Sequence, residues 1–208
     1  MSNFLITNTR PEHIPQLVLH QQLCFPTLTP EEWMRAEHFE SQLRLFPAGQ
    51  HVALDGERVV GQSSTFRISG AIALEQHGYM DILGQSYFTN HDLNGEWLYG
   101  ADMSVHPDYR GRGLSRMLYD ARKELCRRLN LRGMVAGGMI PGYKDYRDRM
   151  SVEAYARAVA AGELIDPTLT PQLRAGFELR GILYNYIDAG ELGNDSTLIV
   201  WENPDWRE

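Results

Sequence analysis

The hydrophobic pattern changes period sharply within one stretch, Leu98 to Leu129. Leu98 to Val105 reads as a strand, and His106-Pro107-Asp108 closes it, because proline cannot extend a ladder. From Leu114 onward, Leu114, Met117, Leu118, Ala121, Leu125 and Leu129 recur at helical spacing. Arg116, Asp120, Lys123, Glu124, Arg127 and Arg128 fall largely between them, so the spacing predicts an amphipathic helix.

The same reading orders the rest of the chain. Phe4 to Thr9 is an edge strand and Glu12 to Cys24 a helix. Thr29-Pro30-Glu31-Glu32 reads as a helix start, with Thr29 as cap, Pro30 in the first turn and Glu32 closing a capping box; that helix runs to Phe46. Gln50 to Leu54 and Arg58 to Ile68 are strands joined by a turn at Asp55-Gly56-Glu57. Gly70 to Asn94 has little periodicity and reads as an ordered loop beside a substrate or an elaborated surface connection. Gly133 to Gly138 is a short buried strand, Ser151 to Ala161 a helix ending at Gly162, and Thr170 to Gly176 a short helix. Glu178 to Tyr186 and Thr197 to Glu202 are the last two strands.

Composition narrows the class. A chain of 208 residues, 43% hydrophobic and 23% charged, fits one globular domain with a sizeable core, here residues 1–208. The net charge of −7 argues against nucleic-acid or anionic-membrane partners. No apolar run is long enough to span a bilayer and the N-terminus has no apolar signal core, so the expected location is cytoplasmic. Two cysteines, Cys24 and Cys126, are too few for a disulfide scaffold and lack metal-motif spacing; the seven histidines form no ligand motif, so no metal is expected.

Arg110-Gly111-Arg112-Gly113 lies between the central strand and helix. A helix N-terminus offers unpaired N–H groups and partial positive charge; glycine lets an anion approach the backbone, and arginine adds charge-assisted hydrogen bonds. The stretch reads as a diphosphate cradle, against the plainer alternative of a strand-to-helix turn with solvated arginines. It is not a dinucleotide fingerprint, because Arg116 stands where the third glycine belongs, and no Walker A string occurs.

What fits is R-x-x-G-x-S, formed by Arg110, Gly113 and Ser115 after Val105-His106-Pro107. This resembles the pyrophosphate motif of the GNAT superfamily of acyl-CoA-dependent N-acetyltransferases, written [QR]-x-x-G-x-[GA], with Ser115 in place of the last small residue. Gly176-Phe177 resembles the point where a GNAT helix meets the next strand. The strings LYGADMSVHPDYRGRG, GGMIPGY and VAAGEL also resemble the GNAT domain that some proteins carry fused to a nitrilase-like domain. The resemblance covers most of the chain, departs from it at Gly70–Asn94 and Met139–Pro167, and implies an α/β (α+β) fold with a mixed, mostly antiparallel, splayed central sheet and flanking helices. It implies acetyl-CoA as donor and transfer to a primary amine, on a small molecule or peptide, in a ternary complex. Carried over, backbone groups of Met103 and Val105 hold the pantetheine, and Arg110, Gly111, Arg112, Gly113, Leu114 and Ser115 hold the pyrophosphate. A homodimer through a C-terminal strand edge is the family's habit.

Acyl transfer needs a base for the ammonium, a donor for the oxyanion and an acid for the thiolate. Asp102 is the first candidate base, being an acid inside an apolar strand, and Glu96 at the strand's start is the second. The plain alternative for Asp102 is a carboxylate on a solvated face. GNAT enzymes often carry an acidic tyrosine four residues before the Gly-Phe pair; here that residue is Gln172. Tyr143 is the substitute, with Tyr184 and Tyr186 as further choices, though each also suits a structural role. Cys126 lies too far along its helix to be an activated nucleophile, and His106 reads as a turn residue. The absent tyrosine leaves a rival open, a non-catalytic acyl-CoA sensor. A dinucleotide oxidoreductase is a second rival, disfavoured by the missing glycine.

Overall fold

The architecture is that of a computed structural model describing residues 4–208. Seven strands form one sheet in the order β1-β2-β3-β4-β5-β7-β6: β1 Leu5–Asn8, β2 Gln50–Asp55, β3 Arg58–Ile68, β4 Trp97–Val105, β5 Gly133–Met139, β6 Glu178–Leu183 and β7 Ser196–Glu202. Every neighbouring pair is antiparallel except β4 and β5. The mixed, mostly antiparallel sheet implied by the resemblance is therefore present. The helices are α1 Ile14–Cys24, α2 Ala36–Leu45, α3 Gly70–Ala73, α4 Tyr79–Ile82, α5 Leu114–Arg128, α6 Val152–Ala160 and α7 Leu169–Arg174. None is long and apolar enough to cross a membrane.

Side-chain alternation along β4 assigns the two sheet faces. Met103 and Val105 pack with Leu114 and Leu118 of α5 in a small core, whereas Asp102 and Ser104 meet Gln21 and His20 of α1. The larger core includes Leu17, Phe39, Phe66, Phe88 and Tyr99, together with Leu125 and Cys126 of α5.

Local chemistry explains most boundaries. Asp55 and Arg58 pair across a two-residue turn in which Gly56 takes φ +61°. Ser151 caps α6 by accepting from the Ala154 amide. Three expectations need correction. The helix expected from Thr29 begins at Ala36. Thr29 to Glu32 closes only one turn, because the Glu32 carboxylate accepts from the Asp188 amide, 3.0 Å away, while Met34 is buried against the core. The strand expected to reach Tyr186 stops at Leu183, where Tyr184 N donates to Gln76 Oε1 and Asn185 enters the left-handed region at φ +50°. Segment 70–94 is a folded connection with two single-turn helices, and Gly84, Gln85, Ser86 and Phe88 all have positive φ. Left-handed backbone has neither helical nor strand period, which is why the sequence pattern is blank there. The Phe88 ring is fully buried, with its centroid 4.9 Å from that of Phe66, and this packing offsets the backbone strain.

Segment 139–167 is held by one carboxylate. Asp166, wholly buried, accepts from Gly142 N at 2.9 Å, Tyr155 Oη at 3.0 Å, and the Thr168 and Leu169 amides at 2.8 Å each. Removing it orphans four donors. Asp166→Ala should cost about 3 kcal/mol in urea denaturation; a cost below about 0.5 kcal/mol would show that the segment is held by its apolar contacts alone.

Candidate functional site

β4 and β5 share only four register pairs, Trp97–Gly133 to Gly100–Ala136. Beyond them β5 continues to Met139 along β7, and β4 continues to Val105 along β3. His106 N donates to Val60 O at 2.9 Å, which makes that pair a hydrogen-bonded one. Counting back by twos, Ser104 and Asp102 direct their backbone groups to β3, and Met103 and Val105 direct theirs away from it, into the gap. The sheet thus opens a backbone-lined cleft at the two residues named for pantetheine.

At the mouth of the cleft stands the glycine loop. Gly111 (φ +74°) and Gly113 (φ +82°) take conformations that favour glycine, and a side chain at either would meet nothing within 4 Å, so an anion can approach their backbone freely. Gly113 is the N-cap of α5 and supplies no side-chain acceptor, leaving the first-turn N–H groups available. The Arg110 and Arg112 side chains are exposed; Arg110 Nε donates to Val105 O at 3.3 Å and Arg112 to Asp108 O at 3.0 Å. The Leu114 side chain is buried under α5 and anchors the helix start, so only its backbone faces the loop.

Asp102 is buried and accepts amide hydrogens from Gln21 and Gln62 on the same oxygen, Oδ2. Burial pushes its carboxyl up to about 6, opposed by the Gln21 amide, the Arg122 charge, the Met103 amide and Gln62. Glu96 is not brought to it. Six residues away along an extended chain, about 20 Å, Glu96 Oε1 accepts from Gly70 N at 3.0 Å and secures the start of α3. Tyr143 donates its hydroxyl to Met150 O at 3.1 Å, closing its own loop. Exposed Tyr184 donates to Glu153. Gln172, where the family's tyrosine would stand, is buried against Gly138. Burial holds the Cys24 thiol up at about 11 and that of Cys126 at about 12, so neither is a ready nucleophile. His106 accepts from the Asp108 amide at 3.2 Å, as a turn residue would.

Two groups near Asp102 escape a reading of the sequence. His20 Nε2 lies 3.1 Å from Ser104 Oγ, with the imidazole held down to about 4 by burial. Arg122 is buried on α5, donating to Ser63 Oγ at 2.5 Å, to Ser64 O at 3.2 Å and to Asp102 O. It falls on the Leu118–Leu125–Cys126 stripe where the pattern had counted Ala121, which is half-exposed. A charge in phase with an apolar stripe was the available signal. Among the described residues no group of His, Cys, Asp and Glu gathers as a metal site.

Comparison with known proteins places this geometry. The model of the acetyltransferase (GNAT) family matches residues 14–141. "Probable hydrolase YhcX" of Bacillus subtilis is 36% identical over 204 residues, 97% of this chain but 39% of that protein, so the chain spans about two fifths of that relative. "Uncharacterized N-acetyltransferase YkwB" of the same organism is 30% identical over 95% of this chain and 88% of its own length. Among solved structures, the loading GNATL domain of CurA from Lyngbya majuscula superposes with TM-score 0.83 at 18% identity, covering 96% of this chain and 98% of that one. The GphF GNAT-like decarboxylase in complex with isobutyryl-CoA gives 0.80 at 20%, covering 95% and 98%. Both likenesses are of fold. With the family model spanning most of the chain and the splayed strands and glycine loop in place, the protein belongs to the GNAT acetyltransferase family.

Proposed function

We propose that the protein transfers an acetyl group from acetyl-CoA to a primary amine by direct attack in a ternary complex. The observation that carries this reading is the β4–β5 gap, lined by the backbone of Met103 and Val105, leading to the open N-terminus of α5. In it, Met103 and Val105 hold the pantetheine amides, and residues 110–115 hold the pyrophosphate through backbone N–H groups and two guanidinium groups. The residues present fit CoA: the cradle is open to the approach of phosphate, and the gap offers the donors and acceptors an extended pantetheine needs. CoA supplies the activated thioester, and the chain orients it.

Asp102 is the proposed base. A carboxyl held at about 6 is ionised at neutral pH and can take the proton of the entering ammonium, directly or through one water, freeing the amine to attack.

A second reading has a specific observation behind it. The likeness to the GphF decarboxylase covers 95% of this chain, and Gln172 leaves no acid at the usual tyrosine position. Decarboxylation of a 2-carboxyacyl-CoA keeps the thioester intact and needs no acid for a leaving thiolate. Release of carbon dioxide from malonyl-CoA without any amine would favour it.

Thermal unfolding with acetyl-CoA, against CoA and NAD, tests the shared core of both readings. Saturation at ~100 times Kd should add about 2.7 kcal/mol, roughly 5–10 °C for a domain of this size. Ser115→Glu should leave the free protein as stable as wild type or more so, because a carboxylate suits the first turn of α5, and yet abolish the shift by repelling phosphate. No shift with any CoA ester would sink the acyltransferase reading. A shift without turnover on a panel of amines would leave a binding module.

Asp102 makes a separate prediction. Its carboxyl is raised in the folded protein from the ordinary 3.8, so the folded state favours the protonated form. Stability is therefore full below pH 4 and falls as pH rises through 6. Relative to Asp102→Asn, wild type should lose about 2 kcal/mol between pH 4 and pH 7; a difference flat with pH would show the carboxyl to be unshifted. In activity, kcat/KM should rise with ionisation around pH 6, and Asp102→Asn should remove that limb.

A further inference from the structure

Three side chains from separate elements form an unbroken hydrogen-bonded row from the root of the β4–β5 gap to the surface. Tyr186, in the connection after β6, lies flat on Gly137, the first β5 residue beyond the shared pairing. A Cβ at Gly137 would sit 2.3 Å from the Tyr186 ring and 2.6 Å from its hydroxyl, so only glycine leaves room for the phenol there. Tyr186 Oη is 3.0 Å from Tyr99 Oη, and Tyr99 Oη is 2.6 Å from His77 Nε2. His77 Nδ1 is 2.7 Å from Glu75 O, and that contact is exposed. Both tyrosines are buried, whereas His77 is half-exposed.

The directions of these bonds follow from the one end that is fixed. A carbonyl only accepts, so His77 Nδ1 carries the hydrogen given to Glu75 O, and the Nε2 of a neutral ring must accept. Tyr99 then donates to His77, and Tyr186 donates to Tyr99. Every hydroxyl points outward, away from the gap. Burial lowers the His77 pKa and keeps the ring neutral at pH 7, which maintains that direction. The other titratable groups near the row are Tyr79, whose ring centroid is 5.7 Å from that of Tyr186, and Asp102.

We propose that Tyr186, Tyr99 and His77 are a proton relay that carries the proton shed by the attacking amine from the β4–β5 gap to the surface. The proposal rests on the acyltransferase reading. As the C–N bond forms, the nitrogen gives its proton to Tyr186 Oη, the Tyr186 proton passes to Tyr99 and the Tyr99 proton to His77 Nε2. The C–S bond then breaks, CoA thiolate takes a proton from solvent, and His77 releases one to solvent, so the net reaction consumes no proton. Tyr186 is the catalytic member, in contact with the reacting nitrogen; Tyr99 and His77 act through it. The row gives segment 70–94 a role, since His77 is its contribution.

His77 is half-exposed, so its loss can be repaired from outside. The measurement is CoA release from acetyl-CoA with hydroxylamine as the probe amine, in wild type, His77→Ala and Tyr99→Phe, with the acetyl-CoA thermal shift recorded for each. His77→Ala should lower kcat by about tenfold or more with KM for acetyl-CoA unchanged, and added imidazole should restore it, since free imidazole can take the proton from Tyr99. Tyr99→Phe, which breaks the row but keeps the ring, should lose activity that imidazole does not restore. Unchanged kcat in His77→Ala, or a loss indifferent to imidazole, overturns the relay. Wild type that shows the thermal shift but no CoA release with hydroxylamine also overturns it; wild type with neither result removes the acyltransferase reading itself.

Discussion

The site depends on a single buried cation and the bulge it stabilises. Between Gly100 and Asp102 the register of β4 against β3 slips by one residue, leaving Ala101 without a partner. Such a slip reverses the alternation of side chains, so Tyr99 and Asp102, three residues apart, face the same side of the sheet. Arg122 crosses under this point from α5 and donates to Ser63 Oγ, Ser64 O and Asp102 O. A side chain at Gly100 would meet its guanidinium at 2.9 Å, so the glycine is the clearance that admits it. A guanidinium buried at this depth is costly unless its hydrogens are used, and the bulged backbone supplies acceptors suited to them. With a regular strand here, Asp102 would face α5 and the acid and the tyrosine would lie on opposite faces.

The means by which Asp102 is accommodated is also informative. Among the described residues no cation touches its carboxylate; two glutamine amides from α1 and β3 do. Amides solvate a carboxylate without neutralising it, so the group keeps a raised proton affinity that a salt bridge would have removed. The neighbouring His20–Ser104 and Gln42–Ser64 contacts extend the same polar layer, so the α1 face of β4 is apolar toward Trp97 and polar toward Val105.

Features written into adjacent residues could be read from the sequence. The glycine loop, the strand before it and the helix after it were legible because their signals are local: period, proline, glycine, charge. Asp102 was legible as an acid out of place among apolar residues. Its partners were not, because Gln21 and Gln62 are remote in sequence and glutamine on a helix or strand is usually unremarkable. Arg122 was passed over because the stripe had been drawn through Ala121, although its phase matched Leu118 and Leu125. The helix start at Thr29 misled because the Thr29–Glu32 pattern closes one turn only, the carboxylate being claimed by a loop more than 150 residues later. Segment 70–94 was blank for a different reason, its left-handed backbone having no period to detect.

The short pairing between β4 and β5 has a mechanical consequence. The sheet is two half-sheets, β1 to β4 and β5 with β7 and β6, joined along four residue pairs, a shorter pairing than β2–β3, β3–β4, β5–β7 or β6–β7. Such a seam is a soft line in the middle of the sheet, and rotation about it would widen or narrow the cleft without disturbing either half. An extended ligand bonded to both lips would act as a missing length of strand and stiffen the seam. Occupancy of the cleft would then be felt across the whole molecule as a change in rigidity, with little change in shape.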